Sequence, residues 1–471
     1  MNWTLAEIIE ASEIDIRFEG NADLLQQRVA AVTIDSRQVG PNHLFIAIKG
    51  DRFDGHDFLK DVFESKALAV VVEQDSWPKI NDLPGSSAFL LVPDTLRALQ
   101  EIAAAFARKI NPKIVALTGS NGKTTTKEMI AQVLSLKYRV HKTQGNLNNH
   151  IGVPLTLLAM PEETELAVIE MGMNHLGEIA RLCEIAPPDV GLITNIGKAH
   201  LEFLKNIDGV RRAKGEMFAA LGGNDTAIIN LDDQNVVLAA KERGVSKSLT
   251  YGFQAGAMIR GEQPWLDQFG CAQFKLFDKS VRVGVPGLHN ASNALSALAL
   301  ASYFDVDIDR AIVALSKPAD VSGRMRRSEH AGRIVIDDSY NANPDSVRAA
   351  LEFLAKLPVG GQRIAVLGDM LELGDQAMQA HGEVIAMGRA AQNIDHFIVH
   401  GPLFQQVCEN NAAQNERIIF IEDKAEIARR LGEITQPGDV ILVKGSRGLK
   451  MEEILVAFKA TLQSSNFPVR E

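Results

Sequence analysis

The strongest chemical signal in the sequence is a glycine-rich segment that follows the apolar run KIVALT and opens a helical pattern. Its residues are Gly119, Ser120, Asn121, Gly122, Lys123, Thr124 and Thr125. In such a segment glycines let backbone N–H groups turn around phosphates, a lysine reaches the outer phosphates and a threonine hydroxyl ligates Mg²⁺. The spacing therefore predicts a nucleotide-binding P-loop. The general pattern has glycine five residues before Gly122, where this chain has Leu117, so a plain glycine-rich turn is the alternative.

Three further polar sites lie where predicted strands end. Glu170 ends the run ELAVIE, His200 follows DVGLITNI, and Asp337-Asp338 close RIVIDD. Because the carboxyl ends of parallel strands meet at one crevice, these side chains could face a common ligand, with Glu170 holding a metal ion. The plain alternatives are a charge that closes a strand, a surface histidine and an acidic pair that caps the next helix.

Two predicted helices carry residues that have both a chemical and an ordinary interpretation. The run HNASN opens one of them, and asparagine is a good helix cap, so capping alone explains one of Asn290 and Asn293. Lys214 lies in the run GVRRAKGEMFAAL, where a lysine is ordinarily solvated. Gly215 beside it would leave room for a close approach to Lys214.

These motifs need a particular arrangement of strands and helices. In the first ninety or so residues short β-like runs alternate with turns, and a helical pattern over 95–109 then stops at Asn111-Pro112. From Lys113 onward apolar, β-branched runs alternate with helical patterns, which predicts parallel sheets with crossover helices. The stretch 256–285 is strand-like and predicts a small β appendage. We expect an α/β protein of three domains, with limits at 1–94, 95–317 and 318–471.

Composition excludes several classes of protein. The 471 residues are 46% hydrophobic and 23% charged, with a formal net charge of −10, which argues against nucleic-acid binding. No apolar run is long enough to span a membrane, and the first twenty residues do not have the pattern of a secretory signal. The three cysteines are far apart and indicate reduced thiols, so we expect a cytoplasmic protein.

Two other classes of function would use similar folds. A nucleotide-dependent switch would need a base-specificity motif such as N-K-x-D, and a nicotinamide dehydrogenase would need G-x-G-x-x-G after a strand. The sequence contains neither motif.

Taken together, these segments resemble the Mur ligase family, and the resemblance runs nearly end to end. The P-loop has the family's form, including the missing first glycine, and further blocks match in order: TQGNLNNHIGVPLTLL, VIEMGMNHLGEI, TNIGKAHLEFL, AKGE, GLHNASNALSALAL and DDSYNANPDS. The family implies a small α/β domain that binds a UDP-sugar peptide, a central P-loop ATPase domain with a parallel sheet, and a C-terminal Rossmann-like α/β domain. It also implies an ATP-dependent ligase of peptidoglycan-precursor synthesis, which joins an amine to a carboxylate through an acyl phosphate.

The resemblance implies roles for the matching residues. The ATP-binding set is Gly119, Ser120, Asn121, Gly122, Lys123, Thr124, Thr125, Asn290, Asn293 (adenine), Arg324 (γ-phosphate), Asp338 and Asn343 (ribose and phosphate edge). Two Mg²⁺ ions would be held by Thr124, Glu170, His200 and a carbamylated Lys214. The catalytic set is Lys123, Lys214, His200 and Arg324. The UDP-substrate set is Ser36, Arg37, Lys49, Gly50, Asn148 and Asn149. Candidates for the peptide end are Lys444, Ser446 and Arg447.

Within the family, SYNANPDS and the closing LVKGSRGLKME are similar to the member that adds D-alanyl-D-alanine to UDP-N-acetylmuramoyl-tripeptide. The diaminopimelate-adding member would carry an Asp-Asn-Pro-Arg run in its last domain, and this chain has none. A sister ligase that adds a different amino acid is the alternative. The resemblance further implies a third domain that closes over ATP, hinged near 316–323. We expect small-molecule partners only and a monomer, although no residue pattern here determines the oligomeric state.

Overall fold

In the computed structural model, which describes residues 3–50, 52–77, 88–318, 322–410 and 417–464, three large β-sheets follow one another along the chain. Each consists mainly of parallel strands covered by helices, which confirms the predicted α/β class. Within these described ranges, no helix combines the length and the apolarity needed to cross a bilayer.

The first sheet has four parallel strands and one antiparallel edge strand, in the order β2-β7-β6-β5-β4. Its strands, with the small β1–β3 ribbon, are β1 Trp3–Thr4, β2 Arg17–Glu19, β3 Arg28–Val29, β4 Ala31–Thr33, β5 His43–Ile46, β6 Ala69–Glu73 and β7 Ala88–Val92. Its helices are α1 Leu5–Ala11 and α2 Leu59–Glu64. A capping box starts α1, because Thr4 Oγ1 accepts from the Glu7 N–H and the Glu7 carboxylate accepts from the Thr4 N–H.

Helix α3, Thr95–Ile110, connects the first sheet to the second. Its apolar residues, such as Leu99 and Phe106, belong to a hydrophobic core that both regions share. The helix ends at Asn111, which has φ of 54° and donates its N–H to the Ala107 carbonyl. Asparagine tolerates this left-handed conformation, which explains why the predicted stop occurs there.

The second sheet is a continuous one of order β16-β15-β14-β13-β12-β11-β8-β10-β9. Its strands are β8 Lys113–Thr118, β9 Val140–Lys142, β10 Leu166–Glu170, β11 Val190–Ile193, β12 Thr226–Asn230, β13 Ser248–Gly252, β14 Ile259–Leu266, β15 Cys271–Leu276 and β16 Lys279–Pro286. Strands β9 to β14 are parallel to β8, whereas β14, β15 and β16 pair in antiparallel fashion. The stretch predicted as a small β appendage therefore extends the central sheet itself.

Helices cover both faces of this sheet. They are α4 Lys123–Leu134, α5 Gly152–Leu158, α6 Glu178–Ile185, α7 Leu201–Leu204, α8 Ile207–Lys214, α9 Glu216–Ala219, α10 Gln234–Glu242, α11 Asn290–Tyr303 and α12 Ile308–Leu315. Helix α11 packs closely against α4 because its contact face is rich in buried alanine, including Ala294 and Ala297. This packing places the start of α11 beside the P-loop.

The third sheet has the order β17-β18-β22-β19-β20-β21, with β17 antiparallel and the rest parallel. Its strands are β17 Arg326–His330, β18 Arg333–Asp338, β19 Arg363–Gly368, β20 His396–His400, β21 Ile418–Phe420 and β22 Val440–Lys444. Its helices are α13 Pro344–Lys356, α14 Ala377–Ala390, α15 Pro402–Asn410, α16 Lys424–Ile434 and α17 Glu452–Ser464. Separate cores lie on its two faces.

The third region packs against the second. A Cβ at Gly270, in the turn before β15, would lie 2.6 Å from the Phe353 ring and 2.7 Å from Leu357 of the third region, so this turn fits closely against α13 and the residue that follows it. The proposed hinge, 316–323, includes residues 319–321, which lie outside the described residues.

Candidate active site

A cavity of about 810 Å³ is lined by residues at the carboxyl ends of strands from both the second and the third sheets. Parallel strands bring their carboxyl ends to one edge, and here two such edges face the same space. The predicted residues that line it are Ser120, Asn121, Gly122, Lys123, Thr125, Asn148, Asn149, Glu170, His200, Asn290, Asn293, Arg324, Asp338, Asn343, Lys444, Ser446 and Arg447.

Two glycines allow the loop between β8 and α4 to take its path. A side chain at Gly119, where φ is 154°, would collide with Thr194 Oγ1, and a Cβ at Gly122, where φ is 78°, would lie 2.7 Å from Asn293 Oδ1. Leu117, which stands where the general motif has glycine, is fully buried in β8. The tight turn thus begins two residues later than in the general motif.

Hydrogen bonds from three directions hold Asn121 at the tip of this loop. Its N–H donates to Asn195 Oδ1 at 2.9 Å, and its carbonyl accepts from Asn195 Nδ2 and Thr194 Oγ1. Its side-chain oxygen accepts from Asn343 Nδ2 of the third region at 2.8 Å. Asn343 also caps α13 by accepting from the Ser346 N–H, so one residue starts that helix and joins it to the P-loop.

Lys123 lies in the cavity and donates from Nζ to the carbonyl of Gly119 at 2.8 Å. Burial lowers the pKa of Lys123, the nearby Arg324 cation lowers it further, and Glu170 and Glu372 oppose the shift. Two cations facing one cavity repel each other, and a polyanion bound between them would relieve that repulsion.

Glu170, at the end of β10, is 1% exposed. Its Oε1 accepts hydrogen bonds from Thr124 Oγ1 at 3.1 Å and from Asn148 Nδ2 at 2.8 Å. Its Oε2 is buried and has no hydrogen-bond partner among the residues that the structure describes, with Lys127 Nζ 3.9 Å away. A buried carboxylate oxygen with no donor, beside a threonine hydroxyl, fits the oxygen-ligand preference of Mg²⁺.

His200 caps the start of α7 with left-handed φ and ψ of 54° and 33°. Its Nδ1 lies 2.8 Å from Oε2 of Glu372, a residue of the third region. Burial is the main cause that lowers the pKa of His200, the hydrogen bond to Glu372 opposes the shift, and the nearby amino groups of Lys214 and Lys123 lower the pKa further when they are charged. Because a carboxylate can only accept, a neutral imidazole in this position donates from Nδ1–H to Glu372 and keeps its lone pair on Nε2.

Lys214 is 1% exposed at the end of α8, so the ordinary interpretation of a solvated lysine is wrong. Burial and the Lys123 charge lower its pKa well below the ordinary lysine value. Within the described residues, no ion pair or hydrogen bond of its Nζ is found. A Cβ at Gly215 would lie 2.9 Å from the Arg211 carbonyl, so a side chain at this position would press against the preceding turn of the helix.

The two asparagines of α11 lie beneath the P-loop. Asn290 Nδ2 donates to the Pro286 carbonyl at 2.7 Å, and its Oδ1 accepts from Asn293 Nδ2 at 2.8 Å. The N-cap residue of α11 is His289, which makes no side-chain capping bond, so the capping interpretation of the asparagines is wrong.

The third region contributes cations and one aromatic ring. The guanidinium of Arg324 stacks over Tyr340, 4.0 Å from the ring centroid, and that of Arg447 lies 5.8 Å from the same centroid. Asp338 does not cap the next helix, because its Oδ2 accepts from Lys444 Nζ at 2.7 Å. This wall presents positive charge to the P-loop across the cavity.

Comparison with known proteins decides the family. Three family models match: "Mur ligase family, catalytic domain" over residues 28–138, "Mur ligase middle domain" over 117–301, and "Mur ligase, glutamate ligase domain" over 323–447. The UDP-N-acetylmuramoyl-tripeptide–D-alanyl-D-alanine ligase of Bacillus subtilis (strain 168) is 36% identical over 455 residues, which cover 96% of each chain. The chain belongs to the Mur ligase family.

Solved structures agree with this assignment. The crystal structure of MurF from Acinetobacter baumannii matches this Mur ligase with a TM-score of 0.85 and 31% identity, covering 98% of this chain and 99% of that one. The MurF ligase of Thermotoga maritima in complex with ADP matches with a TM-score of 0.81 and 30% identity, covering 92% and 98%.

The predicted UDP-substrate residues of the first domain of this Mur ligase do not line the cavity. Ser36 starts a short 3₁₀ helix, and the exposed Arg37 forms a two-point ion pair with Asp35. Lys49 and Gly50 lie in a tight turn, where the Gly50 N–H donates to the Phe53 carbonyl. Of the UDP-substrate set, Asn148 and Asn149 reach the cavity: Asn148 holds Glu170, and Asn149 Oδ1 accepts from the backbone N–H groups that start α5.

Sequence reasoning missed several residues that shape the site of this Mur ligase. They are Thr194, Asn195, Tyr340 and Glu372. Thr194 and Asn195 lie at the end of the predicted strand DVGLITNI, and Tyr340 follows the predicted strand RIVIDD, so the rule that ligands lie at strand carboxyl ends could have found these three. Nothing in the sequence predicts the contact between Glu372 and His200, because 172 residues separate the two along the chain.

Proposed function

We propose that this Mur ligase adds D-alanyl-D-alanine to UDP-N-acetylmuramoyl-tripeptide in peptidoglycan-precursor synthesis, with ATP converted to ADP and phosphate. The observation that carries the proposal is the single cavity in which a P-loop, an unpartnered oxygen of Glu170 and the cations Lys123 and Arg324 face one another. The near full-length similarity to enzymes of that name supports the choice of substrates.

The arrangement suits a carboxylate that must be activated before an amine attacks it. The tripeptide carboxylate attacks the γ-phosphorus of ATP, giving an acyl phosphate and ADP. The amine then adds to the acyl carbon, and the tetrahedral intermediate releases inorganic phosphate and a proton to form the amide. The first step brings two anions together, and Lys123 and Arg324 supply the opposing charge.

We propose that Thr124, Glu170, His200 and a carbamylated Lys214 hold two Mg²⁺ ions, which would neutralise phosphate charge when bound. The donor set fits: Glu170 Oε2 accepts no hydrogen bond from the residues that the structure describes, and His200 Nε2 keeps its lone pair when Nδ1–H donates to Glu372. Lys214 fits because a buried amine with a lowered pKa is neutral enough to react with CO₂, and the carbamate would replace a cation with an anionic oxygen.

We further propose the division of labour among domains. Residues 1–94 bind the UDP moiety through Ser36, Arg37, Lys49 and Gly50, residues 95–317 bind ATP, and residues 318–471 close over it and bring in the dipeptide. Support for the closing role comes from the Asn343–Asn121 and Glu372–His200 hydrogen bonds across the cavity. Closure would exclude the water that hydrolyses an acyl phosphate. We propose that the enzyme works as a monomer in the cytoplasm.

The test is phosphate release and amide formation with UDP-N-acetylmuramoyl-tripeptide, ATP and Mg²⁺. Parallel reactions contain D-alanyl-D-alanine, diaminopimelate, lysine or D-glutamate, with the UDP precursor that each sister reaction requires. Product formation with D-alanyl-D-alanine alone supports the proposal, and preference for another amine would make the chain a sister ligase. Repeating the assay with UDP-linked tripeptides that end in lysine or in diaminopimelate identifies which of the two is the acceptor.

A further inference from the structure

The third domain contacts the loop that carries His200 at more than one point. Glu372 uses its side chain to accept from His200 Nδ1 at 2.8 Å and its backbone carbonyl to accept from the Glu202 N–H at 3.1 Å. Two residues further on, a Cβ at Gly374 would lie 3.0 Å from the Glu202 Cα, and Gln376 Nε2 donates to the Lys205 carbonyl at 3.4 Å. The segment 371–376 therefore fits against residues 200–205 along its length.

This contact selects one form of the His200 ring. A carboxylate can only accept, so a neutral His200 must carry its proton on Nδ1 to make the bond. The other ring nitrogen, Nε2, then keeps its lone pair. Metal-binding histidines generally donate the second N–H to a carboxylate or carbonyl, which fixes the tautomer and the orientation of the ring.

We propose that Glu372 is a positioning residue that, when the third domain is docked, holds His200 in the tautomer competent to bind a divalent cation. The inference rests on the proposed function only for the part that this cation plays in ligation. Assembly of the cation site is thereby coupled to closure, because Glu372 belongs to the third domain and His200 to the second. An open enzyme lacks the partner of Nδ1, so ATP is held in a complete site only after the third domain has docked.

The coupling predicts a specific defect in Glu372→Ala. The full-length protein is labelled with ¹⁵N-histidine, and the His200 ring signals are assigned by comparison with His200→Asn. We expect the Nδ1–H tautomer in the wild type and a mixture of tautomers in Glu372→Ala. Mn²⁺ binding, followed by paramagnetic resonance in the presence of a non-hydrolysable ATP analogue, should weaken about 10- to 100-fold. In turnover, kcat should fall while the KM for the UDP substrate stays unchanged.

Two variants test whether orientation is the cause. Asp375→Ala removes an exposed carboxylate from the same segment. The Asp375 side chain makes no hydrogen bond or ion pair in the described part of the chain, so this variant should leave the His200 tautomer and the Mn²⁺ affinity unchanged. Glu372→Gln keeps an acceptor oxygen and should retain both properties within a few-fold. The inference is overturned if Glu372→Ala keeps the wild-type tautomer and Mn²⁺ affinity, if Asp375→Ala loses as much, or if Glu372→Gln is as defective as Glu372→Ala. Failure of the wild type to ligate D-alanyl-D-alanine would instead refute the proposed function, since tautomer and Mn²⁺ binding are measured without turnover.

Discussion

Replacement of Lys214 by methionine should make the folded protein more stable while it removes activity. Lys214 is buried and forms no ion pair with any residue that the structure describes; burial is the main cause that lowers its pKa, and the Lys123 charge adds to it. Methionine has a similar length and packs without a charge, so the substitution removes the electrostatic cost and keeps most of the contacts.

The size of the gain follows from proton linkage. An unfolded lysine has a pKa of about 10.4, so holding Lys214 neutral in the fold at pH 7.5 costs up to about 4 kcal/mol. Because the folded pKa is lowered, the unfolded state binds more protons, and the stability of the wild type rises with pH toward 10.5. The advantage of Lys214→Met in free energy of unfolding should therefore be largest at low pH and disappear as the pH approaches 10.5.

Urea unfolding in buffer depleted of CO₂, followed by far-ultraviolet circular dichroism, measures this difference. Added bicarbonate should stabilise the wild type and leave Lys214→Met unchanged, since only the amine can form a carbamate. Lys214→Ala should be nearly inactive and should regain ligation when a short carboxylic acid fills the gap. Lys214→Arg should stay inactive, because it keeps a cation that cannot carry a carbamate.

The reasoning would be refuted by a Lys214→Met variant that is no more stable than the wild type at pH 7.5, or whose advantage does not change with pH. Either result would mean that the Lys214 ammonium is compensated in solution. Normal turnover by Lys214→Arg would separately refute the carbamate, and the second Mg²⁺ would then need another ligand.

Three further predictions address the other parts of the site. Lys123→Ala should abolish ligation with an unchanged melting curve, and near-normal turnover would contradict the P-loop assignment. Arg37→Ala should raise the KM for the UDP substrate by about tenfold or more and leave that for ATP unchanged, since a hydrogen bond to a charged group is worth at least that much; an equal rise for both substrates would argue against a UDP contact. Gly122→Ala should destabilise the loop by about 1–2 kcal/mol, because alanine is strained at φ of 78°, and should weaken binding of an ATP analogue. Unchanged affinity for the ATP analogue would contradict the role of Gly122 in shaping the loop.

Much of the fold could be predicted because its signals are local. The runs KIVALT, ELAVIE and RIVIDD are strands β8, β10 and β18, and the predicted helix over 95–109 is α3. The spacing of apolar residues and the share of β-branched residues over a few positions predict such elements. The rule that ligands lie at the carboxyl ends of parallel strands then places Glu170 and His200 at one edge of the sheet. Short or polar strands were missed: β17, with the sequence RRSEH, has no apolar alternation and is held by its pairing with β18.

The environment of a side chain was harder to predict than its position. The sequence predicts a solvated Lys214, because Arg211 and Arg212 lie nearby in the same helix. Tertiary packing nevertheless buries Lys214. Burial of one residue on a helix depends on which neighbour covers that face, and single-sequence periodicity does not contain this information. The family resemblance identified Lys214 where the residue pattern alone pointed to the surface.

The organisation of the site follows from where its two halves originate. Thr124, in α4, and Glu170, at the end of β10, both belong to the second region and contact each other directly, so their contact does not involve the third region. The His200 half depends on Glu372, which the third domain supplies. An enzyme built this way can hold nucleotide in the first half while the second remains incomplete. In the proposed mechanism, the chemistry that generates a water-sensitive acyl phosphate would then be confined to a closed state, in which the third domain both completes the site and excludes water.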